Sequence, residues 1–148
     1  QELLASYTRA QFRHQDLAFP WTGEFYNGLT GEWRTDERDY NHSTYLDLII
    51  SELAGLRPRA DHVLAIEPLI DEHTPSFVID GIRYHAHDIT IAWTRWTTAQ
   101  LGLDNRRGLR VYADGNLVYS TGVKTVPTAV YRDMANGFAT LLPRDVER

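Results

Sequence analysis

The chain has 148 residues and a mass of 17.0 kDa, with 15 basic and 20 acidic side chains, six His and no Cys. A formal charge of −5 leaves no basic surplus to neutralise phosphates, which excludes a generic nucleic-acid binder. The missing Cys excludes disulfides, thiolate metal sites and thiol nucleophiles, and leaves the redox compartment open.

With 43% hydrophobic and 24% charged residues, the composition is that of a globular chain with room for a packed core. No apolar run reaches the roughly 18 residues of a membrane span, so no membrane partner is expected. The chain opens on Gln1-Glu2-Leu3-Leu4, without Met and already in helical pattern, which reads as a mature or cleaved piece with no targeting segment in view.

Leu3, Leu4, Tyr7 and Ala10 recur at helical spacing and predict an amphipathic helix from Glu2 to about Arg13. Residues 15–42 then carry Pro20, Gly23, Gly28 and Gly31 among aromatic clusters and six carboxylates. A connection of this length inside a compact domain is more often functional than idle. Ser43 is placed to cap a second helix, from Thr44 to about Ala54. Its face of Tyr45, Leu46, Ile49, Ile50 and Leu53, widened by Leu48 and Ala54, is apolar enough to predict burial. Gly55 suits the left-handed position after a helix, and Pro58 blocks continuation.

Beyond Arg59 the period changes to that of strands: 62–70, 76–80, 82–84 and 87–93, with Ile89, Ile91 and Trp93 on one face. Asp80-Gly81 and Asp114-Gly115 both read as tight hairpin turns, the second between 109–113 and 117–119. The stretch 129–135 fits either a helix or an edge strand. The reading is α+β: residues 1–58 form two helices around the loop 15–42, and residues 59–148 an antiparallel, sandwich-like β domain. Two helices cannot bury a face like that of 45–53 alone, so they either pack on the sheet or belong to a larger helical assembly.

The loop 19–33 mixes aromatic planes, glycines and acids, a composition suited to carbohydrate: rings stack on sugar faces, and carboxylates bind hydroxyls or activate water. The plainer alternative is a satellite cluster of aromatic rings with solvated acids. Glu24-Phe25-Tyr26-Asn27-Gly28-Leu29-Thr30-Gly31 resembles the E-x-Y-x-x-x-T-G stretch of six-hairpin α/α-barrel glycosidases, nearest to glycoside hydrolase family 63 and the mannosylglycerate-hydrolase-like group. The run from Asp39 through Asn41, His42 and Ser43 to Ile49 resembles the segment opening the last barrel helix, with His42 where the family often has an aromatic residue. Gly55-Leu56-Arg57-Pro58 and 84–91 resemble the β region that follows in related bacterial proteins.

The resemblance implies the last helical hairpin of a barrel (1–58) followed by a β domain. It also implies glycosidic-bond hydrolysis, inverting, with Glu24 as general base. The general acid is expected outside this chain, in the missing N-terminal barrel segment, from the same or another polypeptide. Asp36, Glu37 and Asp39 are local candidates for it. Trp21, Tyr26 and Trp33 are expected sugar platforms, Asn41 and His42 further sugar contacts, and the partner a carbohydrate substrate, with no cofactor and no metal.

A noncatalytic carbohydrate-binding or interaction module is the alternative. A third reading rests on His85-Ala86-His87: alternate strand residues share a face, so two imidazoles could share a metal as in cupin-type barrels, with His62 and His73 unplaced. Arg106, Arg107 and Arg110 read as a solvated basic turn. Trp93 and Trp96 are assigned to the core and rim of the sheet.

Overall fold

The computed structural model describes residues 2–34, 37, 43–71, 74, 76–95, 106–122, 130–135 and 137–138. The chain divides into two compact units, Gln1–Leu48 and Ile49–Arg148.

In the first unit, helix α1 spans Glu2–Ala10, three residues short of the expected end. The reason is tertiary: Trp21 N–H bonds the Gln11 carbonyl at 2.7 Å, and Phe12 bridges Pro20. That pulls Phe12 into extended backbone (φ −122, ψ 138) before a single 3-10 turn, Arg13–Gln15. Helix α2 begins at Ser43–Asp47, and Tyr45 meets Tyr7 edge to face at 5.5 Å.

Leu48–Leu53 continues α2 as a π turn, in which Ala54 N–H bonds the carbonyl of Ile49 five residues back. Gly55 then takes φ +77, and a Cβ there would lie 2.1 Å from the Glu67 backbone. Across that close approach Leu69 N–H closes on the Leu53 carbonyl, while Arg57 donates to the Ser51 carbonyl at 2.8 Å. The predicted burial of this segment fails. No residue of Leu48–Leu53 is buried, and Leu46 is 52% exposed. Ile50 packs on the β core, but an apolar arc this broad exceeds what one packing surface can cover.

The second unit holds two antiparallel sheets. Strands β1 (Leu56–Arg57), β2 (Val63–Ile66) and β7 (Val130–Asp133) pair in the order β1-β2-β7. Strands β3 (Ser76–Tyr84), β4 (His87–Thr94), β5 (Gly108–Ala113) and β6 (Asn116–Ser120) form a meander. The ambiguous stretch 129–135 thus contributes a strand, on the edge of β2.

Ile89, Ile91 and Trp93 alternate inward as expected, and with Leu109 and Val111 they share one core with Leu56, Leu64 and Ile66 of the smaller sheet. Met134 and Phe138 join that core. Trp93 loses all solvent exposure, and its indole N–H is satisfied by the Thr74 carbonyl at 3.0 Å. On the opposite face, buried Arg110 donates to Thr94 Oγ1 at 2.5 Å, so it is no solvated turn residue.

One of the two expected turns moves. Asp114 (φ 50) and Gly115 (φ 77) make the tight β5–β6 turn. Asp80-Gly81 instead lies inside β3, where the register slips between Ile79 and Ile82 and Gly81 sits at φ 70. The chain reverses at His85 (φ 47) and Ala86 (φ 67). A left-handed glycine serves a bulge as readily as a turn, and the hydrophobic register decides between them.

The fold is therefore α+β with two antiparallel sheets, and the helical barrel part expected over 1–58 is not present: among the described residues the helices are α1, α2 with its π continuation and one 3-10 turn, all short. No helix among the described residues is long and apolar enough to cross a membrane.

Candidate functional site

Residues 11–34 fold back on themselves by local backbone bonds. Arg13 N–H donates to the Phe19 carbonyl at 2.8 Å, and Asp16 Oδ1 accepts from Ala18 N–H, a side-chain turn that reverses the chain. Phe25 to Arg34 form a small hairpin. Tyr26 bridges Trp33, Asn27 N–H bonds the Glu32 carbonyl at 2.7 Å, and Arg34 N–H bonds the Phe25 carbonyl at 2.8 Å. Asn27 closes the tip by accepting from Leu29 N–H at 2.9 Å.

This hairpin brings together three of the sequence-expected residues. The Trp21 and Trp33 rings lie 5.2 Å apart at 35°, and the Tyr26 hydroxyl accepts from Gly23 N–H at 2.7 Å while facing Gln11 Oε1 and the Trp21 carbonyl. Burial pushes the Tyr26 hydroxyl above the ordinary phenol range, with the Gly23 N–H working against it and Tyr7 adding to it. At neutral pH it stays protonated and can donate.

Glu24 follows Gly23 at the base of the hairpin and is half-buried. Glu37 is exposed. Asn41, His42, Asp36 and Asp39 lie outside the described residues, as do His73 and Trp96.

Sequence reading missed Gln11, Arg13 and His14. Gln11 is buried, and its Nε2 reaches the Tyr7 carbonyl at 3.2 Å. The Arg13 guanidinium lies over both indoles, 4.9 Å from the centre of Trp21 and 5.7 Å from that of Trp33. Gln11 and Arg13 were assigned to a helix that ends before them, and His14 to no element, so their pattern carried no signal of a site.

The paired-histidine metal reading is corrected by the same geometry. His85 is in the turn, so strand alternation with His87 does not apply. Its Nε2 meets the Arg59 carbonyl at 2.7 Å and therefore carries the proton, while His87 Nδ1 meets Asp114 Oδ2 at 2.7 Å. No cluster of three metal-ligating side chains occurs among the described residues.

No family model and no curated protein matches this chain. Among solved structures, the chain is similar to one described as a sialidase, at 31% identity with a TM-score of 0.62. The match covers 88% of this chain and 12% of the sialidase, so the chain spans about an eighth of that protein's length. By that likeness the chain resembles one domain-sized part of the sialidase. The narrower family 63 resemblance and the α/α barrel are not carried by it.

Proposed function

We propose that this chain is part of a glycoside hydrolase and that residues 11–34 supply one side of its sugar site. The observation that carries this reading is the pair of tilted indoles, Trp21 ahead of the hairpin Phe25–Arg34 and Trp33 within it. Tilted aromatic planes offer a platform to the apolar face of a pyranose ring, and a protonated Tyr26 hydroxyl beside them offers a donor. The likeness to the sialidase supports the carbohydrate class.

Glu24 acts in this proposal as general base. It takes a proton from water as the water oxygen attacks the anomeric carbon, while a carboxylic acid elsewhere in a longer polypeptide protonates the leaving oxygen. In the inverting geometry the two carboxyl groups stand about 6.5–9.5 Å apart, leaving room for that water. Asn41 and His42 would reach the substrate from the start of α2.

The test is Glu24→Gln in the full polypeptide. A general base is worth about 10²–10⁴ in rate, so kcat falls by that order while KM holds. Retained activity overturns the role of Glu24. The tilted indoles equally suit a noncatalytic binding module. That second reading is favoured if saccharide binds to the full polypeptide, Trp33→Ala abolishes the binding, and no hydrolysis accompanies it.

A further inference from the structure

The position of Arg13 over Trp21 and Trp33 is held by its backbone. Its N–H bonds the Phe19 carbonyl and its carbonyl accepts from Asp16 N–H at 3.0 Å, so the side chain leaves a closed reversal of the chain. The next residue, His14, takes the left-handed conformation (φ 52, ψ 28), which non-glycine residues adopt rarely, and its ring stands 6.1 Å from Trp33. The Trp21 indole N–H is enclosed, with no acceptor among the described residues. Arg13 itself is exposed, and among the described residues no carboxylate stands within ion-pair distance of it.

Stacking engages the face of a guanidinium and leaves its edges. Those edges carry N–H donors in a planar fork that matches the two oxygens of a carboxylate. A neutral sugar offers such a fork only uncharged hydroxyl acceptors, whereas an acidic sugar presents a carboxylate a bond away from its ring. In a chain of net charge −5, an anionic ligand also needs a cation at its landing point.

We propose that Arg13, seated on Trp21 and Trp33, is the subsite for the carboxylate of an acidic saccharide of the uronic-acid class. The proposal rests on the carbohydrate reading above and narrows its substrate class.

The experiment titrates the full chain with the methyl glycosides of glucuronic, galacturonic and mannuronic acid, each against its own methyl ester, by tryptophan fluorescence and NMR. At least one acid is expected to bind about tenfold more tightly than its ester. Arg13→Gln removes that preference, so that acid and ester bind alike. Arg13→Lys, which keeps the charge without the fork, keeps only part of it.

Equal binding of acid and ester, or a preference that survives Arg13→Gln, overturns the proposal and leaves the carbohydrate reading standing. Acetate displacing the glycoside as well as the uronate does also overturns it, since the site would then hold a bare anion. If no acid, ester or neutral glycoside binds, the carbohydrate reading falls and the subsite with it.

Discussion

In Ile49–Arg148, Trp93, Ile89 and Ile91 are removed from solvent between two sheets, whereas in Gln1–Leu48 the large apolar side chains of Leu3, Leu17, Phe19, Phe25, Leu29 and Leu46 stay exposed, Leu29 at 97%. The β unit is held by burial, the effect with the largest energetic weight in folding. The first unit is held instead by backbone bonds across a short reversal, an aromatic pair and a stacked cation, each worth about 1 kcal/mol or less. The two units therefore differ in what holds them: buried apolar area in one, local polar and aromatic contacts in the other.

The sharpest way to break this contrast is to truncate the same residue type in each. Trp93→Ala empties a fully enclosed site and removes one of the donors to the Thr74 carbonyl, so it should cost about 3–5 kcal/mol in urea unfolding. Gly55→Ala sets a side chain against the Glu67 backbone at φ +77 and should cost about 2–3 kcal/mol by the same measurement.

Acid tests the rim of the β unit. The Arg59 guanidinium holds the Asp61 carboxyl down to about 2. Asp114 is held below the ordinary carboxylate range, chiefly by the Asp88 backbone N–H and then by His87. Both folded-state values lie below the unfolded ones. Their contribution is therefore complete above the ordinary carboxylate range and is lost as pH falls from there toward 2. Thermal unfolding should show Tm dropping across that window, with a shallower drop in Asp114→Asn. The smallest effect belongs to Trp33→Ala in the first unit, which removes one ring of a half-exposed pair. A cost of about 1 kcal/mol or less is expected, and a cost near that of Trp93→Ala would erase the contrast.

What the amino-acid pattern disclosed follows the same division. Ile89, Ile91, Trp93 and the Asp114-Gly115 turn were legible because alternation and a positive-φ dipeptide agree locally with the register that buries them. Asp80-Gly81 misled because two adjacent reversals were chemically possible, and only the pairing of Ile82 with Ile89 excludes one. The early end of α1 was not legible at all. It depends on Trp21 reaching Gln11 ten residues upstream, a contact with no periodic trace. In the candidate site, Trp21, Tyr26 and Trp33 stood out by composition, while Arg13 stayed hidden because its role comes from the reversal that precedes the hairpin.

The slip at Asp80-Gly81 divides β3 into two phases. Before it, odd-numbered Phe77 and Ile79 face the core; after it, even-numbered Ile82 and Tyr84 do. One inserted residue thus acts as a parity switch for everything between it and the turn. Deleting Gly81 would remove the insertion and leave Ile82 opposite Ile89 in an unbroken ladder, so Tyr84 would keep its inward place and its hydroxyl the Arg59 N–H it accepts at 2.9 Å. Any kinship traced through this strand can therefore differ by one residue at that point, since the bulge absorbs the insertion and the same side chains stay inside.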